Sequence, residues 1–236
     1  TPRNIFHLLS EHFYPINIFG ITPSSKNFNP KIYNGDYYSD KNSALLLFKV
    51  NGSLHTYNFN NFLPDNDNKP LVVTKTDVST NKVYELNSDS AAKIYAELIG
   101  TGLNNIDSNF LIAHPLIIKH GQNHQVKVIK NIDKNDLSLE FFEPIELGTI
   151  FRISKVLNIC ENTFANFSEI KNTFGNYYFI FTFDSIFRIL NLRTNNLMDK
   201  YLDITNNFSC FGIATLSELL PYNNSNYTSK GIVFLQ

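Results

Sequence analysis

Leu71-Val72-Val73-Thr74-Lys75-Thr76-Asp77-Val78-Ser79-Thr80-Asn81-Lys82-Val83-Tyr84-Glu85-Leu86 reads as strand, turn and strand. An apolar run opens it, Ser79 to Asn81 turn it, and Lys82 to Leu86 return it as an antiparallel hairpin. Upstream, a polar connection from Pro64 to Pro70 leads back to a second hairpin signal. There Asn51-Gly52 stands between the buried-strand candidate Ala44 to Val50 and the alternating Ser53 to Phe59; a two-residue turn with positive φ at both positions favours that dipeptide. Further upstream, Pro23 and Pro30 mark a loop, Ile16 to Phe19 form an extended run stopping at Gly20, and Pro2 to Leu9 carry helical spacing.

Downstream, Ser88 or Asp89 is placed to cap a helix whose apolar face is Ala92, Ile94, Tyr95 and Leu98, ending at Gly100. Gly100-Thr101-Gly102 is the candidate boundary. Beyond it, strands are expected around Leu116–Ile118, Val126–Ile132, Leu137–Phe142 and Thr149–Ile153. A helix from about Asn158 to Asn172, the β-run Tyr177–Phe183 and one helix over Ile186–Tyr201 follow. Strands at Cys210–Thr215 and Gly231–Leu235 close the chain. Strands arriving as hairpins and meanders, with a few helices interspersed, predict an α+β fold. The expected form is two lobes of antiparallel-rich sheets with flanking helices, divided into 1–102 and 103–236.

The chain has 236 residues, 43% of them hydrophobic, so it carries enough apolar material for a real core. A formal net charge of -1 leaves no basic footprint for a phosphate backbone, which argues against nucleic acid as a partner. Asn occurs 33 times, so clusters such as Asn66 to Asn68 and the triplets at Asn51, Asn166, Asn207 and Asn226 read as loop filler rather than as glycosylation signals. No segment approaches the ~20 apolar residues of a membrane helix. The start at Thr1, without a basic-then-apolar leader, suggests a piece of something longer. Cys160 and Cys210 form neither a disulfide scaffold nor a zinc set. They read as small apolar residues in a reducing compartment, and the expected location is the cytoplasm.

Catalytic signatures are scarce. The nucleophile elbow, the phosphate loop and the paired-histidine zinc helix are missing from the sequence, and no nucleophile, base and orienting group recur in a recognisable arrangement, so the chain reads as no enzyme. Gly100-Thr101-Gly102 lacks the third glycine of a dinucleotide turn. Asp65-Asn66-Asp67 resembles the start of a calcium loop, but Lys69 and Pro70 occupy positions needing an oxygen ligand and a glycine. His114, His120 and His124 fall within one stretch without a Cys, Asp or Glu to complete a tetrahedral set, although His114 alone would suffice as an axial haem ligand. Glu218, where a strand runs into a turn, is either a surface group or a carboxylate fixed beside a ligand. Arg188, flanked by Ile186, Phe187 and Ile189, must be paired with a carboxylate or bound to an anion, because a lone buried charge costs several kcal/mol.

At these residues the chain resembles the FIST module, a sensory domain of bacterial signalling proteins and of eukaryotic F-box proteins. His114-Pro115-Leu116, Asp136 to Phe141 with Pro144 to Gly148, Phe183-Asp184-Ser185-Ile186-Phe187-Arg188, Gly212 to Glu218 and Asn226-Tyr227-Thr228 are similar to successive motifs of its C-terminal half. Phe19-Gly20, Val73-Thr74, Val83 to Leu86 and Ala91 to Leu98 resemble the latter part of its N-terminal half, which would fill 1–102. Three positions depart from the pattern: Ser185 for Cys, Ser217 for Gly and Ile213 for an aromatic residue. The resemblance implies a small-ligand sensor, with amino acids as proposed ligands, that passes a conformational shift to an output domain or partner protein. A guanidinium at Arg188 and a carboxylate at Glu218 would grip the two ends of an amino acid. Thr215, Gly212, Phe19 and Gly20 would line the same site. No cofactor is implied; the alternative is haem at His114, since some relatives resemble haem-binding nitric-oxide sensors. A protein-interaction scaffold is the remaining alternative, and would show as an exposed apolar patch.

Overall fold

In the computed structural model the described residues are 8, 9, 11–13, 18, 20–22, 32–33, 38–39, 49–120, 123–215, 217–220, 223–225 and 227–236. In chain order the strands are β1 (Gly20–Thr22), β2 (Ile32–Tyr33), β3 (Tyr38–Ser39), β4 (Leu54–Asn60), β5 (Phe62–Pro64), β6 (Leu71–Asp77), β7 (Lys82–Leu86) and β8 (Asp89–Ser90). Helices α1 (Ala91–Leu98) and α2 (Ser108–Ala113) precede β9 (Leu116–His120), β10 (Asn123–Lys127), β11 (Ile129–Asp133), β12 (Ser138–Phe141) and β13 (Ile150–Val156). Then come α3 (Ile159–Phe174), β14 (Tyr177–Ser185), α4 (Ile186–Thr194), α5 (Met198–Asn207), β15 (Cys210–Thr215), β16 (Ser217–Leu220), β17 (Asn223–Ser225) and β18 (Thr228–Leu235). The fold is α+β, as its sequence predicts.

The chain forms two compact units, and they do not divide at residue 102. One takes 61–158 with 225–227; the other takes 1–60, 159–224 and 228–236. The reason lies in β7, which pairs antiparallel with β6 on one side and β12 on the other. Elements before and after Gly102 therefore share one nine-stranded sheet. Leu71, Val73, Val83 and Leu86 from one side of the expected boundary bury a single core with Leu116, Leu139, Phe141 and Phe151 from the other. The β6–β7 hairpin forms as expected, with Asn81 at φ 57 closing its turn.

α1 packs Ala91, Ala92 and Tyr95 into that core and stops before Gly100, whose φ of +70 suits glycine just past a helix end. Its N-cap is Ser90, without a side-chain capping bond. Asn87 and Ser88 instead take φ 53 and 66 as the two-residue turn joining β7 to β8, because this pairing of positive angles fits the twist of a tight hairpin. The expected strand over 126–132 breaks between β10 and β11.

The other unit is built on a four-stranded sheet in the order β15-β14-β18-β4. β14 and β15 run parallel, joined by a crossover through α4 and α5, whereas β18 is antiparallel to both β14 and β4. The single helix expected over 186–201 is two, broken where Asn196 takes φ 55. β4 is the predicted Ser53–Phe59 strand; its expected hairpin partner, Ala44 to Val50, lies almost wholly outside the described residues. Alternation along β14 turns Ile180 toward a core that also contains Phe167 of α3, Leu192 of α4, and Tyr201 and Ile204 of α5. Among the described residues no helix is long and apolar enough to cross a membrane.

Candidate functional site

Asp184 stands on the same face of β14 as Ile180 and Thr182, two residues short of α4, and is 5% exposed. Arg188 follows in the first turn of α4 and is fully buried. Continuing from strand to helix across Ser185 carries the arginine back over the aspartate, so that Nε lies 3.3 Å from Oδ1. The remaining partners come from other elements. Nη2 donates to Oγ1 of Thr163 on α3, and that hydroxyl donates in turn to the Ile159 carbonyl at 2.6 Å. The hydroxyl of Tyr201 on α5 donates to Asp184 Oδ2. The guanidinium lies over two rings, Phe59 at 5.3 Å and Tyr201 at 5.4 Å, whose negative faces favour a cation.

The cluster is ionic, polar and buried, which strengthens every charge–charge term and also the cost of any imperfect partner. The contact between Nε and Oδ1 is an ion pair without hydrogen-bond alignment, and Oδ1 accepts no hydrogen bond among the described residues. The surroundings titrate accordingly. Burial first, and the Asp184 charge second, push the phenols of Tyr201 and Tyr57 well above their ordinary value. The same two causes push the Cys210 thiol up to about 12. All of these groups therefore stay protonated at neutral pH.

Of the residues read from sequence, Arg188 is central, and its carboxylate partner is Asp184 of its own strand–helix junction. Thr215 is buried at the end of β15. Gly212 sits on β15 opposite Thr182, whose carbonyl oxygen would lie 2.0 Å from an added Cβ, so backbone crowding alone demands glycine there. β16 pairs with β1, which sets Glu218 opposite Ile21 and Leu219 opposite Gly20 in register. This joins two of the expected ligand segments at the backbone. Phe19 lies outside the described residues, as does the side chain of Glu218. Sequence reasoning missed Asp184, Thr163 and Tyr201. The spacing of Asp184 four residues before Arg188 was the one available signal, whereas Thr163 and Tyr201 reach the site only through tertiary packing.

In the other unit, His114 ends α2. Its ring stacks on Phe110 at 4.1 Å, and its Nδ1 bonds the Phe110 carbonyl at 2.9 Å. The Asp65–Asp67 loop is tied by Lys155, at 3.2 Å from Asp65 and 2.8 Å from Asp67. Among the described residues no group of three or more His, Cys, Asp or Glu side chains is gathered as metal ligands.

No curated protein and no solved structure matches the chain. Residues 91–221, which hold the Asp184–Arg188 cluster and more than half of the chain, match the family model of the FIST C domain. The chain thus belongs to the FIST family, the sensory modules of signalling proteins.

Proposed function

We propose that this chain is the non-catalytic, ligand-binding sensor of a bacterial cytoplasmic signalling protein, and that it transmits a conformational shift to an output module. The ligand class we assign is an α-amino acid. The observation supporting this is the buried Asp184–Arg188 pair: one carboxylate and one guanidinium, the two groups that an amino acid's ammonium and carboxylate require, stand together with an aspartate oxygen that accepts no hydrogen bond among the described residues. A ligand entering between them exchanges one ion pair for two, and the energy it supplies is the difference in its affinity for the open and closed arrangements.

Thermal denaturation across a panel of amino acids tests this. A true ligand at 100 times its dissociation constant stabilises by about 2.7 kcal/mol, and Arg188→Lys, which keeps charge but loses the fork, should lower that response. A flat panel, or a response that Arg188→Lys leaves unchanged, overturns the reading. A second reading, haem at His114, is favoured by the Nδ1 bond to the Phe110 carbonyl, since a ligating imidazole commonly donates its other nitrogen in this way. Its test is a Soret band on reconstitution that disappears in His114→Ala.

A further inference from the structure

β15 is the outermost strand of the four-stranded sheet, hydrogen-bonded to β14 alone among the described residues. Strands in that position normally carry a device against pairing with another chain, such as a lysine, a proline, a bulge or very short length. β15 carries none of these. Its six residues, Cys210-Phe211-Gly212-Ile213-Ala214-Thr215, include no charge and no proline, and they follow β14 through six consecutive register positions without a shift. Residues 211–214 are all exposed, Phe211 by 54% and Ile213 by 45%.

The ladder fixes which backbone groups remain available. Ile180 donates its amide to the Ser209 carbonyl; in a parallel pair the groups of alternate residues then face the neighbour, here 209, 211 and 213. The amides and carbonyls of Cys210, Gly212 and Ala214 consequently point outward from the sheet. Water satisfies such an alternating row in the free chain, and an added extended strand satisfies it on association; an uncharged edge adds no charge pairing that would select a charged peptide. It also puts no like-charge repulsion in the way of a second copy of itself.

We propose that β15 pairs antiparallel with β15 of a second copy of this chain, about a two-fold axis through Gly212. The register is self-complementary. Gly212 meets Gly212 as a hydrogen-bonded pair, flanked by Cys210 against Ala214, so the side chains at the seam on that face are small. On the opposite face Phe211 meets Ile213 of the partner copy twice, at the closer, non-hydrogen-bonded positions where an aromatic residue and a β-branched one pack well. There they extend a row of rings already in contact on each sheet: Phe211 with Phe181 at 5.3 Å and with Phe179 at 5.1 Å, and Phe179 with Phe234 at 4.3 Å. The joined sheets would have eight strands, and the two β15 edges would be consumed in an isologous contact.

Sedimentation equilibrium from micromolar to near-millimolar concentration tests the pairing. Amide hydrogen exchange on the unmodified chain is measured at both ends of that range. The expected result is a concentration-dependent dimer in which the Gly212 and Ala214 amides exchange at least about tenfold more slowly at high concentration. The Phe211 and Ile213 amides, already bonded to β14, should not change. Ile213→Lys, which places like charges close together in the seam, should yield a monomer with an unchanged far-UV spectrum. A chain that stays monomeric overturns the proposal, as does a dimer whose Gly212 and Ala214 amides exchange at the same rate throughout. The exchange measurement needs no variant, so a poorly folding Ile213→Lys would not spare it, and neither arm involves an amino-acid ligand.

Discussion

Arg188 has every feature of a group that cannot be removed alone. Its charge is fully buried, its counter-charge Asp184 is 5% exposed, and two aromatic rings flank it. Breaking a buried pair by deleting one partner typically costs about 3–5 kcal/mol, because the other charge is left uncompensated, whereas replacing both can be nearly neutral. Arg188→Met and Asp184→Asn should therefore each destabilise by that order. The double variant should recover at least about 2 kcal/mol of the sum, with the asparagine oxygen still accepting from Tyr201. Urea midpoints of the four proteins decide it: additive losses would mean the two charges do not depend on each other. The sequence made Arg188 visible because a guanidinium among Ile186, Phe187 and Ile189 has to be answered. It did not show Asp184 as that answer, because a strand-ending aspartate does not look like a helical neighbour until the chain turns at Ser185.

At the scale of elements, local signals were legible where a strand or turn carried its own chemistry. β15 spans the predicted Cys210–Thr215, and the β6–β7 hairpin forms around its Asn81 turn. Helical periodicity continued past a break that only backbone angles reveal, since Asn195 and Asn196 are tolerable helix residues until Asn196 adopts φ 55. The parallel pairing of β14 with β15 was likewise hidden, because it depends on where two helices return the chain. A non-local tie of the same kind joins Lys82 on β7 to the β11–β12 turn, with its ammonium 2.7 Å from Asp133 and 3.0 Å from Asp136. Hydrogen bonding to Lys82 holds the Asp133 carboxyl below its ordinary range. Asp136 is lowered first by Ser138 and then by Lys82, and Lys82 itself is raised by both aspartates. Depressed carboxylates stabilise the fold above their unfolded pKa near ~3.9 and lose that contribution as pH falls through the folded values. The raised lysine contributes below ~10.4 and loses it only as pH rises through its elevated value. The tie is therefore intact across neutral pH and fails in acid. Lys82→Met should flatten the acid limb of a stability–pH profile while leaving its midpoint region level. An acid limb as steep as the parent's would show that the tie contributes nothing.

For the molecule as a whole, contact across the expected boundary outweighs order along the chain. A reader of the sequence sees Gly100-Thr101-Gly102 as a joint, but a turn rich in glycine says nothing about which strands pair beyond it, and β7 pairs on both sides. The consequence is that 61–158 contains a complete sheet and its own buried cluster, with only Ser225–Tyr227 added from elsewhere. Tyr227 is fully buried, with its ring edge-on to Phe62 at 4.5 Å. The fragment 61–158 should fold alone, with a cooperative calorimetric transition of roughly 70 kcal/mol near 60 °C, the enthalpy expected for its length. It should melt below the corresponding transition of the full chain because Phe62 has lost its neighbour. A random-coil spectrum at every temperature would show that the sheet depends on the other unit after all. The same fragment carries His114 but neither Arg188 nor Asp184. An amino acid that raises the melting temperature of the full chain should thus leave the fragment unmoved, since stabilisation by mass action acts only on the unit that holds the ligand. If the fragment responds as strongly as the whole, the binding residues lie within 61–158, and the arginine cluster is the frame of the sensor rather than its site.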